Sequence, residues 1–388
     1  MSSDQHSGET AAAGPASAAA LIDEAISRDV IPGAVLAAGR RGAEPLLHHV
    51  AGDAQRDQAA QRPMAADTIF DLASLTKVVA TLPCVLRLIG AGEVGLDDAV
   101  ARYLPAFSGS GKDQVTVRQL LTHTSGLPDT VRYYEWLADA DQVRAAALAE
   151  PLTWTPGGTF CYSDIGFIAL GELCAAVARC SLAKLAAELV FGPLQMGDTG
   201  YLPPASLRRR IASTEPQDGV AKTGVVHDEN AAALGGVAGH AGLFSTAADL
   251  ARYASAWAGS DGQPGAELQL PGWLTAEALR CQTDGVRADL PPGRSLPPGR
   301  DTLPARRGLG WGLRGDRWDN MGDLWPLTGA GHTGFTGTCL SIDPHSGMWL
   351  VLLTNAVHFG RGPEHSVVPL RRNVHGMVAA ALSGHVVQ

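Results

Sequence analysis

One α/β layer built from both ends of the chain, with a helical domain inserted into it, is the fold the sequence predicts. Three observations carry this. Apolar runs of strand length lie near the start, at 34–38 and 46–50. Others lie near the end, at 308–313, 336–342 and 349–354. Between the two groups, apolar residues recur at helical spacing, and strands at both ends with helices between them belong to a single layer.

Taken in order, 18–27 reads as a helix with Leu21, Ile22, Ala25 and Ile26 on one face and Asp23 and Glu24 outside. Pro32-Gly33 breaks it; 34–38 follows as a buried strand, and a turn over 39–44 leads to a second strand, making a hairpin. The stretch 74–89 carries Val78, Val79, Leu82, Val85, Leu86 and Ile89 on one helical face and stops at Gly90 and Gly92. Pro83 lies inside it and predicts a kink. Further helices are read at 116–121, 138–148, 167–177, 181–191 and 249–257, with a closing helix at 368–382. Pro, Gly and Arg dominate 284–307, including the near-repeat Pro291-Pro292-Gly293-Arg294 and Pro297-Pro298-Gly299-Arg300, and predict a long surface loop. The expected organisation is a disordered tail at 1–17, a discontinuous sheet domain at 18–72 and 305–388, and a mainly helical domain at 73–304.

With 388 residues, 45% of them hydrophobic, and mean hydropathy near zero, the chain has the material for a large core and the balance of a globular protein. Its net charge of -9 is spread out, and no basic stripe points to nucleic acid. Residues 1–20 lack Lys, Arg and the apolar centre of a secretion signal, and no run approaches a membrane span, so cytoplasmic residence without membrane association is expected. The six cysteines show no Cys-x-x-Cys and no zinc spacing; no disulfide, metal or cofactor is expected, and Cys174 and Cys180 read as small core residues of a helix.

The chemistry begins at Ser74-Leu75-Thr76-Lys77. A serine and a lysine three apart at a helix start share a face, which brings an amine within reach of a hydroxyl. A serine hydroxyl needs such an activating partner before it can attack, and the first helical turn adds free N–H donors. Ser181-Leu182-Ala183-Lys184 has the same spacing and reads as a helix N-cap followed by a solvated charge, so the rest of the chain decides. Three more segments do so: Tyr162-Ser163-Asp164 on a loop, the Gly-rich run 235–246 leading into a helix, and Gly331-His332-Thr333-Gly334-Phe335 opening a predicted strand.

With these motifs the chain resembles the serine β-lactamase-like superfamily: class C β-lactamases, DD-peptidases of the penicillin-binding-protein type and family VIII carboxylesterases. The likeness runs from about Pro32 to the closing helix, with Ser74-x-x-Lys77, Tyr162-Ser163-Asp164 and His332-Thr333-Gly334 in the family's order. Supporting stretches are 120–127 and Pro193-Leu194-Gln195-Met196, while 226–231 and 352–358 are similar to a penicillin-binding-protein-like branch of serine hydrolases. The resemblance implies the β-lactamase/transpeptidase fold, an antiparallel sheet flanked by helices with an inserted all-helical domain.

It also implies roles. Ser74 is the residue acylated, Lys77 and Tyr162 are the proton-transfer pair with the base unassigned between them, and the N–H groups of Ser74 and Phe335 hold the oxyanion. Asp164, His332, Thr333, Gly334 and Phe335 line the substrate site. Two departures bear on specificity. Asp164 stands where the family usually has Asn, and an ionised carboxylate accepts hydrogen bonds but donates none; paired with Lys77, it would hold that lysine charged. His332 stands where many members have Lys and is a weak carboxylate anchor at neutral pH. A carboxylesterase-type hydrolase of small neutral esters or amides, acting on a small-molecule acyl substrate with no nucleic-acid or membrane partner, is therefore expected. The alternatives are a DD-peptidase or β-lactamase, an acyltransferase using the same acyl-enzyme, and an inactive binding domain. An α/β-hydrolase is excluded because no Gly-x-Ser-x-Gly occurs. His123 reads as a structural residue tying a helix end to a loop, and His227, Asp228 and His240 as either cleft-lining or loop residues.

Overall fold

Alternating side chains of the central strands set the architecture, because both faces of those strands are apolar and both must be covered. The computed structural model describes residues 9–42, 44–57, 60–217, 220–259, 265–288 and 304–383. Its main sheet has seven strands: β1 (Gly33–Arg40), β2 (Leu47–Arg56), β3 (Gln61–Pro63), β4 (Gly312–Leu313), β5 (Ala330–Thr333), β6 (Cys339–Asp343) and β7 (Met348–Thr354), in the order β4-β5-β6-β7-β1-β2-β3. All neighbours are antiparallel, and β1 and β7 pair from opposite ends of the chain, Ala34 opposite Thr354 and Arg40 opposite Met348.

One face of β1 and β7 presents Ala34, Leu36, Leu350 and Leu352 to helices α1 (Glu9–Ser27) and α5 (Val368–Ser383), where Ile22, Val374 and Val378 meet them. The other face presents Val35, Ala37, Val351 and Leu353 to the helical part of the chain. Each buried Val, Leu or Ile among them contributes roughly 1.5–3 kcal/mol. On this face α4 (Ala247–Ala258) packs directly against the strands, and α2 (Leu82–Gly90) and α3 (Asp164–Ala178) belong to the same core. The intervening segment also carries a short three-stranded sheet of Phe70–Asp71, Leu243–Ser245 and Gly200–Tyr201.

Several boundaries differ from the sequence reading. Helix α1 starts at Glu9, so 9–17 is not a tail; its alanine-rich composition is that of a good helix former. Residues 1–8, and 289–303 of the expected loop, lie outside the described residues. The stretch 74–89 is not one regular helix: a 3₁₀ turn (Ala73–Leu75) and a π-turn (Lys77–Thr81) precede α2. Pro83 supplies the reason, since it cannot donate back along an α-helix, and the π-turn places it in the first turn of α2 instead. By length and composition Ala73–Gly90 would pass for a membrane span, yet 78% of it is buried inside the protein. Of 308–313 only Gly312–Leu313 pairs in the sheet, because Gly308 N donates to Trp311 O and closes a turn. His332 and Thr333 end β5 rather than open β6, and the turn after them is closed by Gly334 N to Thr338 O, 2.8 Å. Helices Glu229–Ala233 and Gly272–Leu279 are additional. Cys174 is buried in α3, whereas Cys180 lies beyond that helix and is half-buried; all six cysteines are free thiols.

His375 of α5 is buried against the sheet with both ring nitrogens bonded, Nδ1 donating to Arg371 O (2.7 Å) and Nε2 accepting from Ser341 Oγ (2.8 Å). Burial lowers its pKa to about 4. Below pH ~6.5 the unfolded chain therefore takes up a proton that the folded chain refuses, so stability falls as pH drops from there towards about 4. Denaturant titrations across that range are expected to show a loss of roughly 2–3 kcal/mol from this residue, and His375→Gln to flatten the slope accordingly.

Candidate active site

The strand Phe70–Asp71 delivers the chain to Ser74 through an unusual turn. Ala73 has φ +46°, in the left-handed region that a side chain disfavours. Buried Asp71 holds it there: one carboxylate oxygen accepts from Ala73 N (2.8 Å) and the other from His227 N (2.6 Å). Burial raises the Asp71 carboxyl above the usual range, and these two N–H groups act against that rise. Among the described residues neither Ser74 N–H nor Phe335 N–H donates to another backbone group, so both stand available to a developing oxyanion.

The turn after β5 is fastened to the same strand. Thr336 Oγ1 donates to Asp71 O (2.7 Å) and Thr338 Oγ1 to Leu72 O (3.2 Å). Gly334 makes the approach possible, because a Cβ there would sit 2.3 Å from Leu72 O and 2.2 Å from Thr338 Oγ1. Beneath the turn, buried Arg371 donates to Gly334 O and Thr338 O, each at 2.9 Å.

Lys77 is fully buried and has three partners: it donates to Ser74 Oγ (2.9 Å) and His240 O (3.2 Å) and ion-pairs with Asp164 Oδ1 (2.7 Å). Burial on its own would lower its pKa, but the charge of Asp164 and the neighbouring Tyr162 outweigh that and hold it above the usual lysine value. Asp164 opens α3 directly after the N-cap Ser163, whose Oγ accepts from Gly166 N (3.1 Å), so its carboxylate also sits at the positive end of that helix. The carbonyl of His240 reaches Lys77 because Gly239 lies against α3, where a Cβ would be 2.0 Å from Phe167 O.

Tyr162 lies between two neutral imidazoles. Its ring is 5.0 Å from Lys77 Nζ and stacks on His123 at 4.4 Å. Its hydroxyl is 3.5 Å from His332 Nε2, while His332 Nδ1 donates to Thr333 O (2.9 Å), which leaves Nε2 as the acceptor. Burial, then the charges of Lys77 and Arg307, push His332 well below the usual histidine range; burial and the same two cations in the opposite order do so for His123. His123 ties the end of helix Val117–Leu121 to the Tyr162 loop by accepting from Ser163 N (3.0 Å) and adopts φ +58° to do so.

Ser74, Tyr162, Asp164, His332, Thr333, Gly334 and Phe335 thus face one cleft of about 700 Å³, with Lys77 beneath Ser74. Ser181, by contrast, caps Leu182–Ala186 through Lys184 N (3.2 Å), and Lys184 is solvent-exposed. His227 and Asp228 line the cleft, and buried His240 bonds Asp228. The roles of Asp71 and Arg371 and the placement of Arg307, 5.9 Å over the Tyr162 ring, went unread in the sequence. Asp71, two residues ahead of a turn, carried a local signal, since Asp side chains bond the backbone two residues on; the two arginines carried none.

The family model for beta-lactamases matches residues 18–367. The chain belongs to the beta-lactamase family. It is 30% identical over 331 residues to a putative D-alanyl-D-alanine carboxypeptidase of Escherichia coli strain K12, covering 77% of this chain and 72% of that one. It is 30% identical over 375 residues to an N-acetylmuramyl-L-alanine amidase of Bacillus subtilis strain 168, covering 87% and 80%. Among solved structures, EstCE1, described as a hydrolase with promiscuous acyltransferase activity, matches with TM-score 0.70 at 22% identity over 94% of this chain and 98% of that one. A penicillin-binding protein homologue from Caulobacter crescentus matches with TM-score 0.70 at 24% identity over 96% and 97%. These two share the fold. This beta-lactamase family member is accordingly a serine hydrolase of the β-lactamase fold.

Asp71→Asn replaces an acceptor with an NH₂ group facing one of the two backbone donors. Turnover of an activated ester is expected to fall about 10- to 100-fold, mostly in kcat, since small displacements of a nucleophile are costly. Adding Ala73→Gly removes the penalty for positive φ and is expected to recover part of the loss. Unchanged kcat in the single variant would show that Asp71 does not set the nucleophile turn.

Proposed function

We propose that the protein is a carboxylesterase-type hydrolase that forms an acyl-enzyme on Ser74 with small esters or amides needing no carboxylate anchor. The observation that carries this is the Lys77–Asp164 ion pair at 2.7 Å. With Lys77 held as an ammonium it orients Ser74 Oγ by donating to it and cannot also receive its proton, so the base is the Tyr162 oxygen in its phenolate form, with the Lys77 ammonium as the neighbouring counter-charge. Attack by Ser74 places the carbonyl oxygen between the N–H groups of Ser74 and Phe335, and Tyr162 then returns the proton to the leaving group. Water repeats the sequence on the acyl-enzyme. His332 is uncharged near neutrality and Asp164 is committed to Lys77, which supports a preference for substrates without the carboxylate and acylamino groups of penicillins.

Two experiments test this. Fluorophosphonate labelling with peptide mapping is expected to modify Ser74; Ser74→Ala should abolish labelling and Ser181→Ala leave it intact, while label retained without Ser74 would refute the assignment.

The second compares specificity constants for p-nitrophenyl butyrate and nitrocefin, and the ester is expected to be favoured. Asp164→Asn restores a donor and takes away the charge that keeps Lys77 protonated. It should therefore raise penicillin acylation relative to ester hydrolysis. A higher specificity constant for nitrocefin in the unmodified protein would favour instead the peptidase-like reading suggested by the carboxypeptidase relatives.

A further inference from the structure

We infer that Asp228 binds a protonated amine on the acyl part of the substrate, so that the preferred acyl donors are aminoacyl esters or amides with a free amino group. This rests on Ser74 as the nucleophile and specifies the substrate class of that site. Asp228 lines the cleft that Ser74 opens into. Its carboxylate is fixed from behind: Oδ1 accepts from Ala231 N (2.8 Å), capping helix Glu229–Ala233, and from His240 Nε2 (2.9 Å). Among the described residues Oδ2 accepts no hydrogen bond, and it is not one of the enclosed unsatisfied atoms. The side chain keeps 31% exposure, so this second oxygen faces the cleft.

The charge balance of the cleft points the same way. Lys77 is matched by Asp164, Arg307 by Asp316 at 3.0 Å, and Arg361 by Glu215 and Glu229 at 2.7 and 2.5 Å. Arg371 is committed to the two carbonyls of the turn beneath the site. Burial works against the ionised form of Asp228, yet His240, the Ala231 N–H and Lys77 outweigh it and hold the carboxyl well below the usual range. Arg132 is paired with Glu135, so with His332 uncharged the cations lining the cleft, apart from the carbonyl-bound Arg371, each have a carboxylate partner among the described residues, while Asp228 pairs with His240 through Oδ1 and keeps Oδ2 open to the cleft. An ammonium on Oδ2 would gain a charge-assisted hydrogen bond, and an anion there would be repelled.

Placement favours the acyl side. The Tyr162 hydroxyl that serves the leaving group points to His332. Asp228 belongs to the segment that holds the Ser74 turn itself, bonding Asp71 through His227 N, Lys77 through His240 O and Thr76 through Leu243 N, whereas none of these bonds involves His332.

The test compares kcat/KM for alanine benzyl ester and N-acetylalanine benzyl ester, both enantiomers of each, by released benzyl alcohol. The unmodified protein is expected to favour the free amine by about 10- to 100-fold, the range of one charge-assisted contact. Asp228→Asn retains the helix cap and the shape but not the charge, and should bring the ratio close to one. Asp228→Ser, also a capping residue, gives the same reading should the Asn variant not fold. Equal or better hydrolysis of the acetylated ester, turnover of neither, or a preference that survives both variants overturns the proposal. Fluorophosphonate labelling of Ser74 reports separately on the nucleophile, so a failed amine preference with intact labelling refutes Asp228 alone.

Discussion

Burying an ammonium is expensive unless its charge is met on the spot, and Lys77 is buried completely. Its surroundings follow from that demand. Asp164 must lie at the mouth of α3, Ser163 must cap that helix to hold the carboxylate there, and His240 must lend a carbonyl from a distant segment. Three parts of the chain far apart in sequence therefore meet at one nitrogen, and Ser74 completes the set. In the mechanism we propose, the ion pair also decides chemistry: a lysine matched by its own carboxylate is an orienting donor, and proton transfer passes to the tyrosine beside it.

A second constraint acts on the nucleophile turn from the sheet side. Ala73 in a left-handed conformation is stable only while Asp71 holds its N–H, and Thr336 and Thr338 grip the same short strand. Sheet and helical segment are thus joined by hydrogen bonds at the point where the two N–H donors must converge. Arg371 underlies this junction, which explains a buried guanidinium in a helix that packs mostly aliphatic side chains beside His375.

The motifs that meet at the cleft were legible because each is local: Ser74 and Lys77 are three apart, Tyr162 and Asp164 two apart, and His332 to Phe335 contiguous. Strands β1 and β7 and the closing helix were legible because their apolar runs are long and bounded by turn residues. What the sequence concealed was long-range or sub-helical. Arg307 and Arg371 act through partners that sequence spacing does not reveal, and Asp71 looks like a flank of the Ser74 motif until its two backbone donors are seen. The start of α1 was obscured because an alanine-rich, low-complexity stretch reads equally as a tail. Strand β5 was mistaken for the start of the next strand because the glycines after His332 serve a close approach, which composition does not distinguish from an ordinary turn.

The π-turn over Lys77–Thr81 adds one residue to a helical turn, so the helix downstream is rotated by about 100° relative to a regular continuation. That extra residue lets the apolar face of α2 pack into the core while Ser74 faces the cleft with Lys77 buried beneath it. Deleting a single residue from 78–81 would leave Pro83 inside a continuous α-helix and would rotate the nucleophile relative to α2 by the same angle. All five residues of the π-turn are buried, so a screen scoring folded protein would register the packing cost of such a deletion, and a screen scoring turnover would register the rotation of the nucleophile in addition. Comparing the two read-outs over 78–81 would separate the geometric cost of catalysis from the energetic cost of folding.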